Sequence, residues 1–152
     1  MNTAKPIIDK EVKTVIAITV FLIFTGIALL HFYWSFGGQW GKRAALPERN
    51  DGTHTIRPGF LSTLMVALGL TGLAVFSLSA VQIVDLPIAP VVKRVGHWMI
   101  AVIFLARAVG DLTYVGFLKK IRNTQFARKD TTIYSPLCLL IGMLNVFLAE
   151  SS

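Results

Sequence analysis

Apolar residues fill four long blocks of this chain, separated by polar punctuation. The first runs from Thr14 to Phe36 and, at about 1.5 Å per helical residue, reaches roughly 34 Å, enough for a hydrocarbon core of about 30 Å. Lys5, Lys10 and Lys13 precede it, as in a signal peptide, but the stretch exceeds a usual h-region of about 7–15 residues, so a retained helix is expected. Residues 1–13 are read as a separate N-terminal segment. In the second block, Gly59 to Val84, the only side-chain polarity before Gln82 comes from Ser and Thr, which can return hydrogen bonds to their own helix. Pro58 opens it, where a missing backbone N–H costs little. Gly69, Thr71, Gly72 and Ala74 give it a small-residue surface on which another helix could pack closely.

The third block, His97 to Phe117, is apolar apart from Arg107 and Asp111, and the fourth, Ile133 to Ala149, is only marginally long enough to span. A long polar loop (Gly37 to Arg57), a short Pro-containing turn (Asp85 to Gly96) and a basic loop (Leu118 to Thr132) connect them. The predicted fold class is all-α, a membrane-spanning bundle of four helices over residues 14–150.

Composition agrees: 54% of residues are hydrophobic, mean hydropathy is +0.64 and only 15% are charged, against about 25% in soluble domains. A globule of 152 residues cannot bury that apolar excess, so the lipid bilayer is the expected partner. The formal charge of +7 suggests a nucleic-acid binder, but the cations flank the apolar blocks instead of forming a basic domain, and no nucleic-acid partner is expected. The first and third loops hold Lys42, Arg43, Arg49, Arg57, Lys119, Lys120, Arg122, Arg128 and Lys129, against Lys5, Lys10, Lys13, Lys93 and Arg94 on the other side. The positive-inside rule therefore puts the long loops in the cytoplasm and both termini outside, although the lysines before the first span argue the other way. Cys138, the single cysteine, excludes an internal disulfide and reads as a packing residue.

Alternating spans gather most of the unusual polar residues at one end. They are His31, Tyr33, Trp34 and Trp40, then Arg57, then Arg107, Asp111 and Tyr114, then Asp130 and Tyr134. At 100° per residue, Arg107, Asp111 and Tyr114 share one helix face, and an i,i+4 Arg107–Asp111 pair would reduce the insertion penalty of about 2.5–3.5 kcal/mol per charge. The expectation is a polar pocket closed by that pair; the competing expectation is an ion pair that only fixes helix register, with Tyr114 as an interfacial anchor. His31 is either an inward proton carrier or, given Phe32, Tyr33 and Trp34 beside it, an interfacial residue, and His97–Trp98 reads as an anchor at the opposite end. His54 has no second ligand at a metal spacing, Gly37–Gly38 is too short for a phosphate loop, and no nucleophile–base motif stands out. No catalytic residue, cofactor or metal is assigned.

His31-Phe-Tyr-Trp34, Gly37-Gly38, Trp40-Gly41 and Pro47-Glu48, then Arg107-Ala-Val-Gly-Asp111 and Tyr114-Val-Gly116-Phe117, then Phe126-Ala-Arg-Lys-Asp130 and Tyr134-Ser-Pro136-Leu-Cys138 form one long signature. Together they resemble the bacterial membrane family named domain of unknown function 3995, from His31 to about Leu140. The resemblance implies a bacterial multi-pass protein of four helices in the cytoplasmic (inner) membrane, and brings no activity, cofactor or catalytic residue. Three functions stay open. The first is binding of a small or lipid-like ligand near one membrane face, with His31, Tyr33, Trp34, Arg107, Asp111, Tyr114, Asp130 and Tyr134 as the candidate residues. The second is an intramembrane enzyme acting on an apolar substrate, with His31, Asp111 or Tyr114 moving protons and Arg107 stabilising negative charge. The third is an interaction subunit, packing through the small-residue face of the second helix against a membrane-protein partner or another copy.

Overall fold

A computed structural model describes residues 4–47, 58–111 and 113–151. His54, Glu48, Arg49 and Arg57 lie outside them. The helices are α1 (Ala4–Ser35), α2 (Lys42–Ala45), α3 (Phe60–Ser79), α4 (Pro90–Val109), α5 (Gln125–Lys129) and α6 (Ser135–Glu150), with a π-helical turn, Asp130–Tyr134, joining the last two. No strand occurs among the described residues. The chain is an all-α, membrane-spanning bundle of four long helices.

Three segments are long and apolar enough to cross a membrane: Asp9–Ser35, Phe60–Ser79 and Gln125–Glu150. Helix α4 matches α3 at 20 residues but carries Lys93, Arg94 and Arg107. Outward positions on α1, α3 and α4 present Leu22, Leu29, Met65, Leu68, Val102 and Ile103, each more than half exposed, as a lipid-facing surface requires.

Helix α1 packs along α3 and α4 along α6, and contacts between the two pairs are sparser. Small residues explain the close pairs. Ala17 and Ala28 on α1 and Ala67 and Ala74 on α3 are buried, and so are Ala101 and Ala108 on α4 and Gly142 and Ala149 on α6. Lipid tails remove the hydrophobic drive between helices, so dispersion contacts at close backbone approach must hold them. A Cβ at Gly142 would lie 2.6 Å from Leu105 Cγ, which shows how near α6 comes to α4. Between the pairs, aromatic rings fill a wider seam: Phe24 meets Phe104 at 5.4 Å between centroids and Phe76 meets His97 at 4.8 Å.

Helix ends differ from the sequence expectation where backbone geometry overrides hydropathy. Helix α3 stops at Ser79, not Val84, and Gln82 takes a left-handed φ of 59° in the connection. Helix α4 begins at Pro90, a favoured first-turn position for proline, so the expected turn through Gly96 is already helical. It ends at Val109, eight residues before Phe117, because Gly110 adopts φ 96°. The fourth span starts at Gln125, not Ile133. Within it Pro136 has no N–H to offer the Thr132 carbonyl and its ring would crowd that oxygen, so the chain widens into the π turn and Ser135 N bonds to Asp130 O, five residues back.

Candidate functional site

The C-terminal end of α4 is closed by its own downstream loop. Phe117 N donates to Ala108 O (2.9 Å) and Leu118 N to Val109 O (3.3 Å), satisfying carbonyls that a helix end leaves free. The fold-back needs glycine at two places: Gly110 and Gly116 both have φ near 90°, and a Cβ on either would collide with backbone of the other strand of the loop. Asp111 holds the turn. Its Oδ1 accepts from the N–H groups of Thr113 (2.9 Å), Tyr114 (2.7 Å) and Val115 (2.9 Å). Desolvation alone would push this carboxyl up, but the three backbone donors outweigh it and hold Asp111 below the usual carboxylate range.

Arg107 therefore does not pair with Asp111, as the i,i+4 spacing suggested. The helix has ended before residue 111, and the guanidinium turns to Asp130, with Nη2 2.9 Å from Oδ1. Asp130 has no exposed surface and is the hub of the cluster. Its Oδ2 accepts from Lys119 Nζ (2.9 Å), Gly116 N (2.8 Å) and Ser135 Oγ (3.2 Å), the last brought onto the same face by the π turn. Lys119, only 2% exposed, also donates to Gly116 O (2.9 Å) and Thr131 Oγ1 (2.7 Å), which uses all three ammonium protons. Two cations face one carboxylate, so the cluster carries a formal excess of one positive charge. Arg107 Nη1 is buried without a hydrogen-bond partner among the described residues.

A second feature opens at the same end. A cleft of about 180 Å³ lies between His31 and Trp34 of α1, Lys42, Ala45 and Leu46 of α2 and its exit, and Pro58, Ser62, Thr63 and Val66 at the start of α3. His31 Nδ1 lies 2.8 Å from the Ile27 carbonyl; since a carbonyl only accepts, Nδ1 carries a proton, which leaves Nε2 as the ring nitrogen free of this contact. Trp34 stands edge-on to the imidazole at 5.0 Å and donates from Nε1 to Trp40 O (2.8 Å). Thr63 and Ser62 spend their hydroxyl protons on Gly59 O, at 2.9 and 3.0 Å. Among the described residues no carboxylate lines the cleft, whereas Lys42 does.

The remaining sequence candidates are dispersed. Tyr33 is exposed, its ring packed on Gly38 and its hydroxyl accepting from Trp40 N at 3.4 Å. Tyr114 contributes a backbone N–H to Asp111, and Tyr134 donates its hydroxyl to Ala44 O (3.2 Å), tying α2 to the π turn. Neither Arg107, Asp111 nor Tyr114 lines the cleft that His31 lines, so the proton-transfer set of the enzyme reading is not assembled around that cavity. Sequence reasoning counted Lys119 and Lys42 only as loop charges. Lys119 is the buried partner of Asp130, and nothing in a local window distinguishes it from exposed Lys120. His97, read as an interfacial anchor, is fully buried and bonded to Asn145. Among the described residues, no group of three or more His, Cys, Asp or Glu could hold a metal ion.

Comparison with known families gives one match: residues 24–145 fit the family described as protein of unknown function (DUF3995). No curated protein and no solved structure matches the chain.

Proposed function

Since the chain belongs to this family, whose description names no activity, we propose from the geometry that it binds the anionic head of an amphipathic ligand in the cleft between α1, α2 and α3. The observation that carries this reading is that Lys42 and His31 line one cavity which, among the described residues, is lined by no carboxylate and is completed by Trp34, Ala45, Leu46, Pro58, Ser62, Thr63 and Val66. The Lys42 ammonium suits an ionised oxygen and the His31 imidazole an O–H of the same partly protonated acid, and the apolar walls suit the first carbons beyond it. Asp130, Arg107 and Lys119 act beside the cleft as a scaffold that fixes where α4 ends and α6 begins. The cleft end faces the cytoplasmic leaflet of a bacterial inner membrane, as the excess of Lys and Arg in the two long loops favours.

The test is lipid and metabolite binding by native mass spectrometry, using protein in nanodiscs that contain phosphatidylcholine with graded phosphatidic acid. The expected result is retention of phosphatidic acid, weakened about tenfold by Lys42→Gln, equivalent to ~1.4 kcal/mol. The exposed Lys129→Gln variant serves as the control. Equal retention by wild type and Lys42→Gln refutes the cleft as the binding site. Labelling of single cysteines placed near residue 40 from either side of the membrane checks the orientation.

A further inference from the structure

At the opposite end of the bundle, away from the cleft, His97 lies two turns into α4 with none of its surface exposed. Its Nδ1 is 2.9 Å from Asn145 Oδ1, and Asn145 Nδ2 donates to Ile141 O at 2.9 Å, which fixes the orientation of the amide. An amide oxygen only accepts, so Nδ1 carries the proton and the neutral ring presents a bare lone pair at Nε2. Nε2 is buried and has no hydrogen-bond partner among the described residues. The two ring nitrogens diverge, so with Nδ1 turned to Asn145 of α6, Nε2 faces away from that contact, and the ring lies against Phe76 of α3.

Among the described residues no side chain donates to Nε2. The buried hydroxyls of α3 are spent on their own helix, Ser77 on Leu73 O (2.8 Å) and Ser79 on Phe76 O (2.7 Å). Lys13 gives its ammonium to Ser151 O (2.7 Å) and Lys93 to Ser79 O (3.3 Å). A buried acceptor left without a donor costs about 1–3 kcal/mol.

The same seam contains a groove of about 290 Å³ with walls that are entirely apolar, among them Leu73 and Phe76 of α3 and Gly96, Met99, Ile100 and Phe104 of α4. Gly96 lets the two helices meet there, since a Cβ would stand 2.5 Å from Phe76 Cζ. Phe76 is both a wall of the groove and the ring that faces His97 at 4.8 Å. The groove thus ends one side chain away from the imidazole.

We propose that this seam binds a neutral amphiphile bearing a hydroxyl, its chain lying in the α3–α4 groove and its O–H donating to His97 Nε2. Water supplies the same O–H chemistry, since Ser77 and Ser79 donate to their own helix but keep oxygen lone pairs that a water could use, and the titration below separates the two donors. A hydroxyl at the end of an apolar chain needs only the one acceptor, and the groove takes the chain. Rotation of the Phe76 side chain joins the groove to Nε2.

The experiment uses the full chain with 15N-labelled histidine in bicelles of diether phosphatidylcholine, whose lipids carry no hydroxyl. The His97 signals are identified by their loss in His97→Gln. Titration with 1-decanol is expected to leave the Nδ1–H tautomer unchanged and to move the Nε2 resonance saturably toward the hydrogen-bonded position. Decyl methyl ether, which fills the groove without a donor, is expected to leave it in place. The proposal is overturned if Nε2 ignores decanol. It is equally overturned if Nε2 is already hydrogen-bonded to water and insensitive to decanol, if both compounds move it alike, or if His97 is doubly protonated at neutral pH.

Discussion

Replacing Asp130 with Ala removes four accepted hydrogen bonds at once: from Arg107 Nη2, Lys119 Nζ, Gly116 N and Ser135 Oγ. Breaking a buried ion pair by deleting one partner costs about 3–5 kcal/mol, because the remaining charge stays desolvated. The two cations do not share that penalty equally. The Lys119 side chain is 1% exposed and cannot reach water, whereas the Arg107 side chain is 34% exposed and can extend its guanidinium toward the head groups. Most of the destabilisation therefore resides in Lys119, and Lys119→Met in the Asp130→Ala background should recover more stability than Arg107→Met does. Cys138, the only cysteine and half-buried early in α6, supplies the readout: the labelling of its thiol by a fluorogenic maleimide during SDS titration in bicelles reports opening of that helix. A loss below about 1 kcal/mol for Asp130→Ala, or better rescue by Arg107→Met, would refute the assignment of Lys119 as the dependent buried charge.

Other predictions address single elements of the same end. Asp111 has a folded pKa below its unfolded value, so its stabilisation is present above the ordinary carboxylate pKa of about 4 and is lost as pH falls through the folded value. Asp111→Ala should be less stable at neutral pH and show a flatter acid limb below about pH 4 in the same titration; an unchanged limb contradicts the turn assignment. Gly110→Ala combines a left-handed φ with a backbone collision and should cost at least ~2 kcal/mol, measured as the SDS midpoint, while Gly37→Ala, equally left-handed but in open space, should cost about 1–2. Gly142→Val should force α6 off Leu105, lowering the midpoint by roughly 1–3 kcal/mol, and no loss would mean the α4–α6 contact is looser than described. Lys42→Gln should weaken phosphatidic acid retention without altering thermal stability.

What the sequence made legible followed from what hydropathy measures. Long apolar runs located α1, α3 and α6, since lipid tolerates little else. The third span was misplaced at both ends because hydropathy does not register dihedral angles: the helix begins at Pro90 in polar sequence and stops at Gly110 in apolar sequence. That shift moved His97 from the membrane boundary to the interior. Asp111 and Arg107 stand out in the sequence as charges in an apolar run, but helical spacing supplied the wrong partner, because a tertiary contact 23 residues away replaced the local one. The segment before Ile133 reads as a basic loop in which Asp130 is a ligand candidate, whereas the span begins at Gln125 and Asp130 and Thr131 are engaged by the buried Lys119. Much of the family-like signature serves this construction: Gly110 and Gly116 for the fold-back, Asp111 for the turn, Arg107 and Asp130 for the ion cluster, Pro136 for the π turn.

The pairing of α1 with α3 and of α4 with α6 bears on how the chain enters a membrane. Each pair is a hairpin consecutive in sequence, so the first can be threaded into the bilayer and zipped along its alanines before the second has left the ribosome. The buried ion cluster waits for the second insertion, when Lys119 and Asp130 arrive within a dozen residues of each other and can neutralise on entry. A break in the connection between Ala80 and Ala89 would then leave two halves able to find each other after separate synthesis, with the aromatic seam as their meeting surface.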